Sequence, residues 1–144
     1  MTTPEERIEV VRRGFQAYNA SDTGAVLRLL DPDVEIHSTD ELMNPGTFHG
    51  HAGYLRWVGQ WDEAWEDFQN VPEEIEVVGE RHAVARVRAT GRGRGSGVEV
   101  GRTVAYLYDV RDGVCVYLAL YANFDAALEA ARGREGIPAR QTGG

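Results

Sequence analysis

Four strand-length runs of apolar and β-branched residues follow one another through the second half of the chain. They cover residues 74–78, 83–90, 98–110 and 114–121. The short connections between them contain glycine and cover residues 79–81, 91–97 and 111–113. Glycine in connections of this length is typical of hairpin turns, so the pattern predicts antiparallel neighbours in one sheet.

The first half of the chain carries helix patterns. The segment Thr3-Pro4-Glu5-Glu6 combines an N-cap residue, a proline at the first helical position and a capping-box glutamate. This start and the apolar spacing that follows predict a helix to about Asn19. Asp22 can cap a second, shorter helix through Leu30, which Pro32 should stop because the residue before proline avoids the helical region.

Two short strands and a last helix complete the predicted order of elements. Residues 34–38 alternate as a half-buried strand does, and residues 47–50 form a short segment after a turn. Residues 125–131 predict a final helix. The rest, 132–144, contains four glycines and a proline and predicts a flexible tail. The whole is an α+β pattern, with a single domain over residues 1–131.

All three tryptophans lie in the segment 54–68, at positions that share one face of a helix. The apolar positions of that face are 54, 57, 58, 61, 65 and 68. A helix with so wide an aromatic face, followed by long strands, predicts packing on a curved sheet that encloses an apolar pocket.

Charge and composition restrict the partners. A net charge of -8 opposes binding to polyphosphate backbones, so nucleic acid is not an expected partner. No run approaches the roughly 18 apolar residues that span a bilayer, and the N-terminus lacks an export pattern, so no membrane is expected. The single cysteine, Cys115, lies in an apolar run and predicts a small buried side chain in a reducing compartment. We therefore predict a cytoplasmic protein.

Several motifs of this chain resemble those of one family of small α+β proteins. They are Ala17 to Asp22, Leu29 to Glu35, Phe48 to Gly53, Arg111 to Gly113 and Ala127 to Ala130. Residues 5 to 131 resemble the nuclear transport factor 2-like superfamily, and within it the SnoaL-like polyketide cyclase and ketosteroid isomerase branch. The resemblance implies a cone-shaped curved antiparallel sheet wrapped around three N-terminal helices, with a short C-terminal helix. It also implies a homodimer.

The resemblance does not carry over the catalytic groups of ketosteroid isomerases. Their first-helix tyrosine, strand base and protonated acid correspond to Gly14, Ser38 and Tyr106 here, and none of the three matches. Asp40, two residues beyond the base position, is the first choice for a replacement base, with Glu41 as an alternative on the same segment. His37 is a third alternative on the opposite face of its strand.

Two other reactions of this fold depend on catalytic residues that this sequence lacks. Epoxide hydrolases of the fold use two aspartates linked by an arginine, and Arg86 and Arg88 have no aspartate two positions away. The histidine and aspartate of SnoaL-like cyclases correspond to Tyr106 and Asn123. A catalytic pair formed by Asp40 and Arg102 remains an alternative.

The predicted site is built around the long strand 98–110. Alternation places Arg102, Val104, Tyr106 and Tyr108 on one face, which the resemblance turns towards the pocket. We predict Asp40 as base or water activator and Tyr106 as acid or hydrogen-bond donor. The predicted substrate-binding residues are Ser38 and Tyr108 as orienting groups, Tyr18, Trp57, Trp61 and Leu118 as walls, and Arg102 as a counterion for an acidic substrate.

No cofactor and no metal are expected. His49 and His51 flank a glycine near Asp40 and Glu41, but no second ligand pair has diagnostic spacing. The glycine-rich segment 91–97 lacks the strand-to-helix context and the lysine of a phosphate-binding loop, and it joins two strands instead.

Three functions are compatible with these residues. The first is a cofactor-independent enzyme of cyclase, isomerase or epoxide-opening type that uses general acid/base catalysis on an apolar polyketide- or terpenoid-like molecule. The second is a non-catalytic binding or carrier protein that uses the same pocket for a hydrophobic small molecule. The third is an interaction domain whose cone is filled by its own side chains.

Overall fold

A curved six-stranded sheet bends around three helices, and a fourth helix lies on its outer side. The computed structural model describes residues 2–39 and 46–136. The helices are α1 (Pro4–Asn19), α2 (Thr23–Arg28), α3 (Gly50–Ala64) and α4 (Phe124–Glu135). The strands are β1 (Leu30–Ser38), β2 (Gly46–His49), β3 (Trp65–Val78), β4 (His82–Gly93), β5 (Glu99–Arg111) and β6 (Val114–Tyr121). The predicted α+β cone is confirmed. None of the described helices is long and apolar enough to cross a membrane.

One strand pair departs from the predicted antiparallel arrangement. The strands lie in the order β2-β1-β6-β5-β4-β3. Strands β1 and β6 run parallel, with Ile36 opposite Leu118 and Ser38 opposite Leu120, whereas the other neighbours are antiparallel. Parallel neighbours need a long crossover, and the chain between β1 and β6 supplies it.

The two faces of the sheet bury different cores. On the concave face Ala85 lies opposite Tyr106, and both pack into a core shared with α1, α2 and α3. On the convex face Val84 lies opposite Leu107, and Leu128 of α4 covers this second core. Side chains alternate between the faces with period two, so each strand contributes to both cores.

The N-terminal helices begin as predicted. Thr3 and Asp22 each accept a backbone N–H bond of 3.1 Å at the start of their helix. The second helix ends earlier than predicted, because Leu30 already belongs to β1. The Cys115 N–H donates to the Leu29 carbonyl oxygen at 2.8 Å, so strand pairing takes over at this point.

The prediction of one helix across 54–68 is wrong beyond Ala64. Trp65 has extended backbone angles, φ -131° and ψ 141°, and opens β3 by pairing with Gly93. Strand β3 is consequently much longer than the predicted 74–78. The helical spacing of Trp65 and Phe68 could not reveal this, since the decisive backbone partners lie on β4, far along the sequence.

Helix α4 is also longer than predicted. It runs to Glu135 and ends at Gly136, whose φ of 74° gives a left-handed C-cap that glycine adopts readily. The assignment of residues 132–135 to a flexible tail is therefore wrong. Residues 137–144 of that tail lie outside the described residues.

A polar cluster holds the end of α4 against the sheet. The Glu135 carboxylate accepts backbone N–H bonds of 2.9 to 3.1 Å from residues 80–82 and lies 2.5 Å from His82 Nδ1. Arg134 Nε donates to His82 Nε2 at 3.0 Å. Because a guanidinium only donates, Nε2 is unprotonated and Nδ1 carries the hydrogen. The fully buried Asp109 carboxylate lies 3.7 Å from Nε2 and 3.3 Å from Arg134.

This cluster predicts a loss of stability in acid. Burial lowers the pKa of His82 below its ordinary value of 6.5, although Glu135 and Asp109 oppose that shift. The unfolded chain then binds a proton more readily than the folded one, so His82 contributes full stability above about pH 6.5 and less as the pH falls. We expect the urea midpoint to drop between pH 7 and about 5, and to drop less in His82→Gln.

The matched control for this experiment is His49→Gln, since His49 is exposed and outside the cluster. It should keep the wild-type acid slope. An unchanged slope in His82→Gln would refute the prediction. The pKa of Glu135 is lowered to about 2, because its hydrogen bonds with His82 and the backbone outweigh the effect of burial. Its contribution to stability is therefore lost progressively below about pH 5, outside the pH range of this experiment.

Candidate functional site

A cavity lies between α1, α2 and α3 and the concave face of the sheet. About 70 Å³ of it is open to the centre of a water molecule, which is room for several waters or one small ligand. Aromatic side chains supply about half of its lining residues: Phe15, Tyr18, Tyr54, Trp57, Trp61, Phe68, Tyr106 and Tyr108. We call this space the aromatic cavity.

Four tyrosine side chains line the aromatic cavity. Tyr106 and Tyr108 stack with ring centroids 6.2 Å apart, and Phe15 meets Tyr106 edge-on at 5.2 Å. Burial raises the pKa of Tyr106 and Tyr108 well above the ordinary value of 10.0. The same effect raises the pKa of Tyr18 and Tyr54. All four phenols are therefore neutral at physiological pH and can donate hydrogen bonds.

Two residues of the lining carry further buried polar groups. Asn70 Oδ1 and Trp57 Nε1 are buried in the lining, and neither forms a hydrogen bond with any residue in the described ranges. The Asn70 backbone is held in place by Asn19, whose amide donates to the Asn70 carbonyl at 2.7 Å and accepts from its N–H at 2.9 Å. Buried polar groups are costly when unpaired, so both atoms suit a ligand or an ordered water.

A second pocket adjoins the cavity between α2 and α3, and we call this pocket the opening. Tyr18, Tyr54 and Phe68 line both the cavity and this opening. Asp62, exposed on α3, also lines the opening, and it raises the pKa of Tyr18 and Tyr54 in addition to burial. An ionised carboxylate thus stands close enough to two of the phenols to affect them electrostatically.

An apolar groove of about 340 Å³ adjoins the cavity. Trp61, Phe68 and Tyr106 line both spaces, and the Trp61 and Phe68 rings stack with centroids 5.4 Å apart. Arg102 lines the groove and is exposed, and it does not line the aromatic cavity. A counterion role for Arg102 would therefore concern the groove.

The other predicted site residues fall into three groups. Those that line the aromatic cavity are Tyr18, Trp57, Trp61, Tyr106, Tyr108 and Leu118. Ser38 is fully buried, its Oγ has no hydrogen-bond partner in the described part of the chain, and it does not line the cavity. Asp40 and Glu41 lie outside the described residues.

Sequence reasoning missed Asn70, Tyr54 and Gly14 as site residues. Asn70 precedes residue 74, where the sequence pattern begins this strand, so the pattern gives no reason to place it in the site. Tyr54 lies on the predicted aromatic helix face, so the sequence alone could have identified it. Gly14 lines the cavity, and a Cβ built on it meets nothing within 4 Å. The absence of a side chain at Gly14 thus leaves part of this space open.

The described residues that line the cavity include no strong nucleophile. Burial raises the pKa of the Cys115 thiol to about 12, and its Sγ donates to the Tyr117 carbonyl oxygen at 3.1 Å. Over residues 2–39 and 46–136, no three histidine, cysteine, aspartate or glutamate side chains are grouped as a metal site requires. His51, considered above for a metal, instead lies 2.9 Å from the Leu30 carbonyl oxygen through Nε2.

Comparison with known proteins places the chain among small cone-fold proteins. The sequence profile of the SnoaL-like domain matches residues 11–118. A comparison with curated proteins gives no match. A nuclear transport factor 2-like protein from Burkholderia pseudomallei superposes with a TM-score of 0.73 at 18% identity, covering 84% of this chain and 93% of that one.

Two further solved structures have the same fold. A protein from Xanthomonas campestris, assigned as a polyketide cyclase, superposes with a TM-score of 0.68 at 19% identity, covering 88% of this chain and 97% of that one. A ketosteroid isomerase-like fold from Catenulispora acidiphila, solved in complex with trimethylamine, has a TM-score of 0.70 at 19% identity and covers 98% and 99%. At these identities the likeness establishes the fold alone.

Proposed function

Because this chain belongs to the SnoaL-like family, we propose that it binds a small, largely apolar molecule in the aromatic cavity. The lining of that cavity carries the proposal. Four tyrosine hydroxyls and the buried Asn70 amide are set in otherwise apolar walls. A few convergent polar groups in an apolar concavity are typical of small-molecule sites.

The tyrosine hydroxyls suit a ligand that carries an oxygen acceptor. Tyr106 remains protonated at physiological pH because burial raises its pKa, so it can donate to a carbonyl or epoxide oxygen. The same hydrogen bond becomes stronger when negative charge develops on that oxygen. The Tyr106 hydroxyl can thus both bind the ligand and activate it.

A cofactor-independent enzyme is the second candidate, favoured by relatives that are assigned as polyketide cyclases. No aspartate, glutamate or histidine of the described residues lines the cavity. The base would accordingly be Asp40, which follows β1 and lies outside the described residues. In this candidate Asp40 removes a proton or activates water, and Tyr106 protonates or stabilises the oxygen of a polyketide- or terpenoid-like substrate.

The size of the cavity favours a small ligand. About 70 Å³ for water centres leaves little room for a polycyclic molecule unless Trp61 moves. The Catenulispora protein of the same fold was solved in complex with trimethylamine, a molecule of a few heavy atoms, which supports a small ligand here. A molecule of one ring or one short branched chain fits best.

Filling the cavity is expected to abolish binding. Gly14 lies on α1 with free space in front of it, so Gly14→Leu should place a side chain inside the cavity. Leucine also favours helix over glycine by up to about 1 kcal/mol, so the fold should tolerate the change. We expect at least a tenfold loss of affinity for any cavity ligand, measured by calorimetry.

Gly133→Leu is the matched control. Gly133 is also helical with open space around it, but it lies on α4, on the convex side. It should keep wild-type affinity. Full affinity in a correctly folded Gly14→Leu variant would refute binding in the aromatic cavity.

The ligand itself is best sought in protein taken directly from its producing cells. A native mass spectrum with an added small-molecule mass that disappears in Gly14→Leu would support the proposal. A crystal structure with the cavity closed by Trp57, Trp61 and Tyr106 would favour the interaction domain instead.

A homodimer is proposed from the family resemblance. Sedimentation at micromolar concentration should give the mass of two chains. A monomer under those conditions would overturn this part of the proposal.

A further inference from the structure

The lining of the aromatic cavity favours positive charge over negative charge. Aromatic faces carry negative potential, and they attract cations within about 6 Å of a ring centroid. Eight aromatic side chains surround this small space, including Trp57 and Trp61, the residue type that binds cations best. No arginine, lysine or histidine of the described residues lines it.

An acidic residue, Asp62, lines the opening. None of the described side chains forms an ion pair with the Asp62 carboxylate. Arg94 lines the same opening, but its guanidinium donates to the Asp62 backbone carbonyl oxygen and pairs with Glu66 at 3.5 Å. Arg94 thus binds the backbone of Asp62 and does not form an ion pair with its carboxylate.

The other two carboxylates at the opening have local partners. Asp67 pairs with Arg92, and Asp22 accepts the Ala25 N–H as the cap of α2. Asp62 is consequently the carboxylate best placed to interact with a bound charge.

The effect of Asp62 reaches the cavity. Burial is the main cause of the raised pKa of Tyr18 and Tyr54, and the negative charge of Asp62 adds to it. A field that opposes a phenolate at these positions stabilises a cation there by the same interaction.

A buried acceptor completes this environment. The Asn70 side chain belongs to a residue that is 4% exposed, lines the cavity, and has an Oδ1 with no partner among the described residues. An amide oxygen can accept an N–H or O–H of a ligand, and its partial negative charge also favours a cation.

From these observations we propose that the aromatic cavity binds a small organic cation with a tertiary or quaternary alkylammonium group. The alkyl groups contact the apolar walls, the charge faces the aromatic rings, and Asp62 stands at the opening. The inference rests on the proposed small-molecule site and names its ligand class. An anionic ligand would be repelled by the same groups, and a neutral one would lack the electrostatic attraction to the rings and to Asp62.

The test compares two ligands of the same shape that differ in charge. Choline and 3,3-dimethylbutan-1-ol differ by a quaternary nitrogen in place of a carbon. Calorimetry on the full chain at low salt should give at least about tenfold tighter binding of choline, as expected for a desolvated cation among aromatic rings. Gly14→Leu should abolish binding of both.

Charge variants on α3 test the role of the opening. Asp62→Asn should weaken choline roughly threefold to tenfold and leave the alcohol unchanged. Glu63→Gln is the matched control, because Glu63 is the exposed neighbour on the same helix and lines neither the cavity nor its opening. It should alter neither affinity.

Two outcomes would overturn the inference. If the alcohol binds as tightly as choline, the cation preference is wrong while the proposed small-molecule site stands. If neither ligand binds at millimolar concentration, the ligand class is wrong. The proposed site itself fails if a ligand keeps full affinity in a correctly folded Gly14→Leu variant.

Discussion

Replacing Glu135 with alanine is expected to lower the free energy of unfolding by about 3 kcal/mol. The Glu135 carboxylate accepts backbone N–H bonds from residues 80, 81 and 82 and a bond from His82 Nδ1. Its removal leaves these donors without their partner in the turn between β3 and β4. Hydrogen bonds to charged groups contribute about 1.5 to 3 kcal/mol each, and losses within one cluster are not additive. Urea unfolding measures the effect, provided that the dependence of the free energy of unfolding on urea concentration is the same in both proteins.

Glu129→Ala is the control for this variant. Glu129 lies on the same helix, is half exposed, and pairs with Arg132 three residues on at 2.9 Å. An exposed pair of this kind contributes about 0.5 kcal/mol. If Glu135→Ala costs no more than Glu129→Ala, the cluster does not hold α4 to the sheet.

Tyr106→Phe and Asp40→Asn are each expected to lower turnover by about 10²-fold or more on a confirmed substrate, if the protein is an enzyme. Phenylalanine keeps the ring that contacts Phe15 at 5.2 Å and removes the donor alone. Asparagine keeps the size of Asp40 and removes the base. The kcat and the ligand affinity are measured separately, because a carrier would lose affinity in Tyr106→Phe and form no product in any variant.

Two further variants test the roles assigned to Tyr106 and Asp40. Tyr121→Phe removes a hydroxyl outside the aromatic cavity and should leave turnover unchanged. Glu41→Gln tests the alternative base, and a loss of turnover there with full activity in Asp40→Asn would move the role to Glu41. Unchanged turnover in both Tyr106→Phe and Asp40→Asn would refute the acid/base mechanism.

Sequence reasoning succeeded where the deciding interactions are local. The start of α1 at Pro4 and the cap of α2 at Asp22 follow from side chains that bond within three residues of themselves. The face of β5 that carries Tyr106 and Tyr108 follows from the period of two in an extended strand. Six of the predicted site residues could thus be placed in one cavity from pattern and resemblance.

Sequence reasoning failed where partners far away in the sequence determine the backbone conformation. Trp65 and Phe68 fit a helix by spacing, yet pairing with β4 draws this segment into the sheet. The end of α4 was missed because its last turn is held by His82, which is 53 residues away in the chain.

The sequence by itself determined the fold class and the order of the elements, because these depend on local propensity and on the periodicity of apolar residues. The tertiary structure alone decided which groups meet in the aromatic cavity. Asn70 lies beside Tyr106 in the cavity because the long β3 places it there, whereas Arg102 lines a neighbouring groove. Such neighbours are set by strand pairing and by the curvature of the sheet, which join residues that no sequence spacing relates.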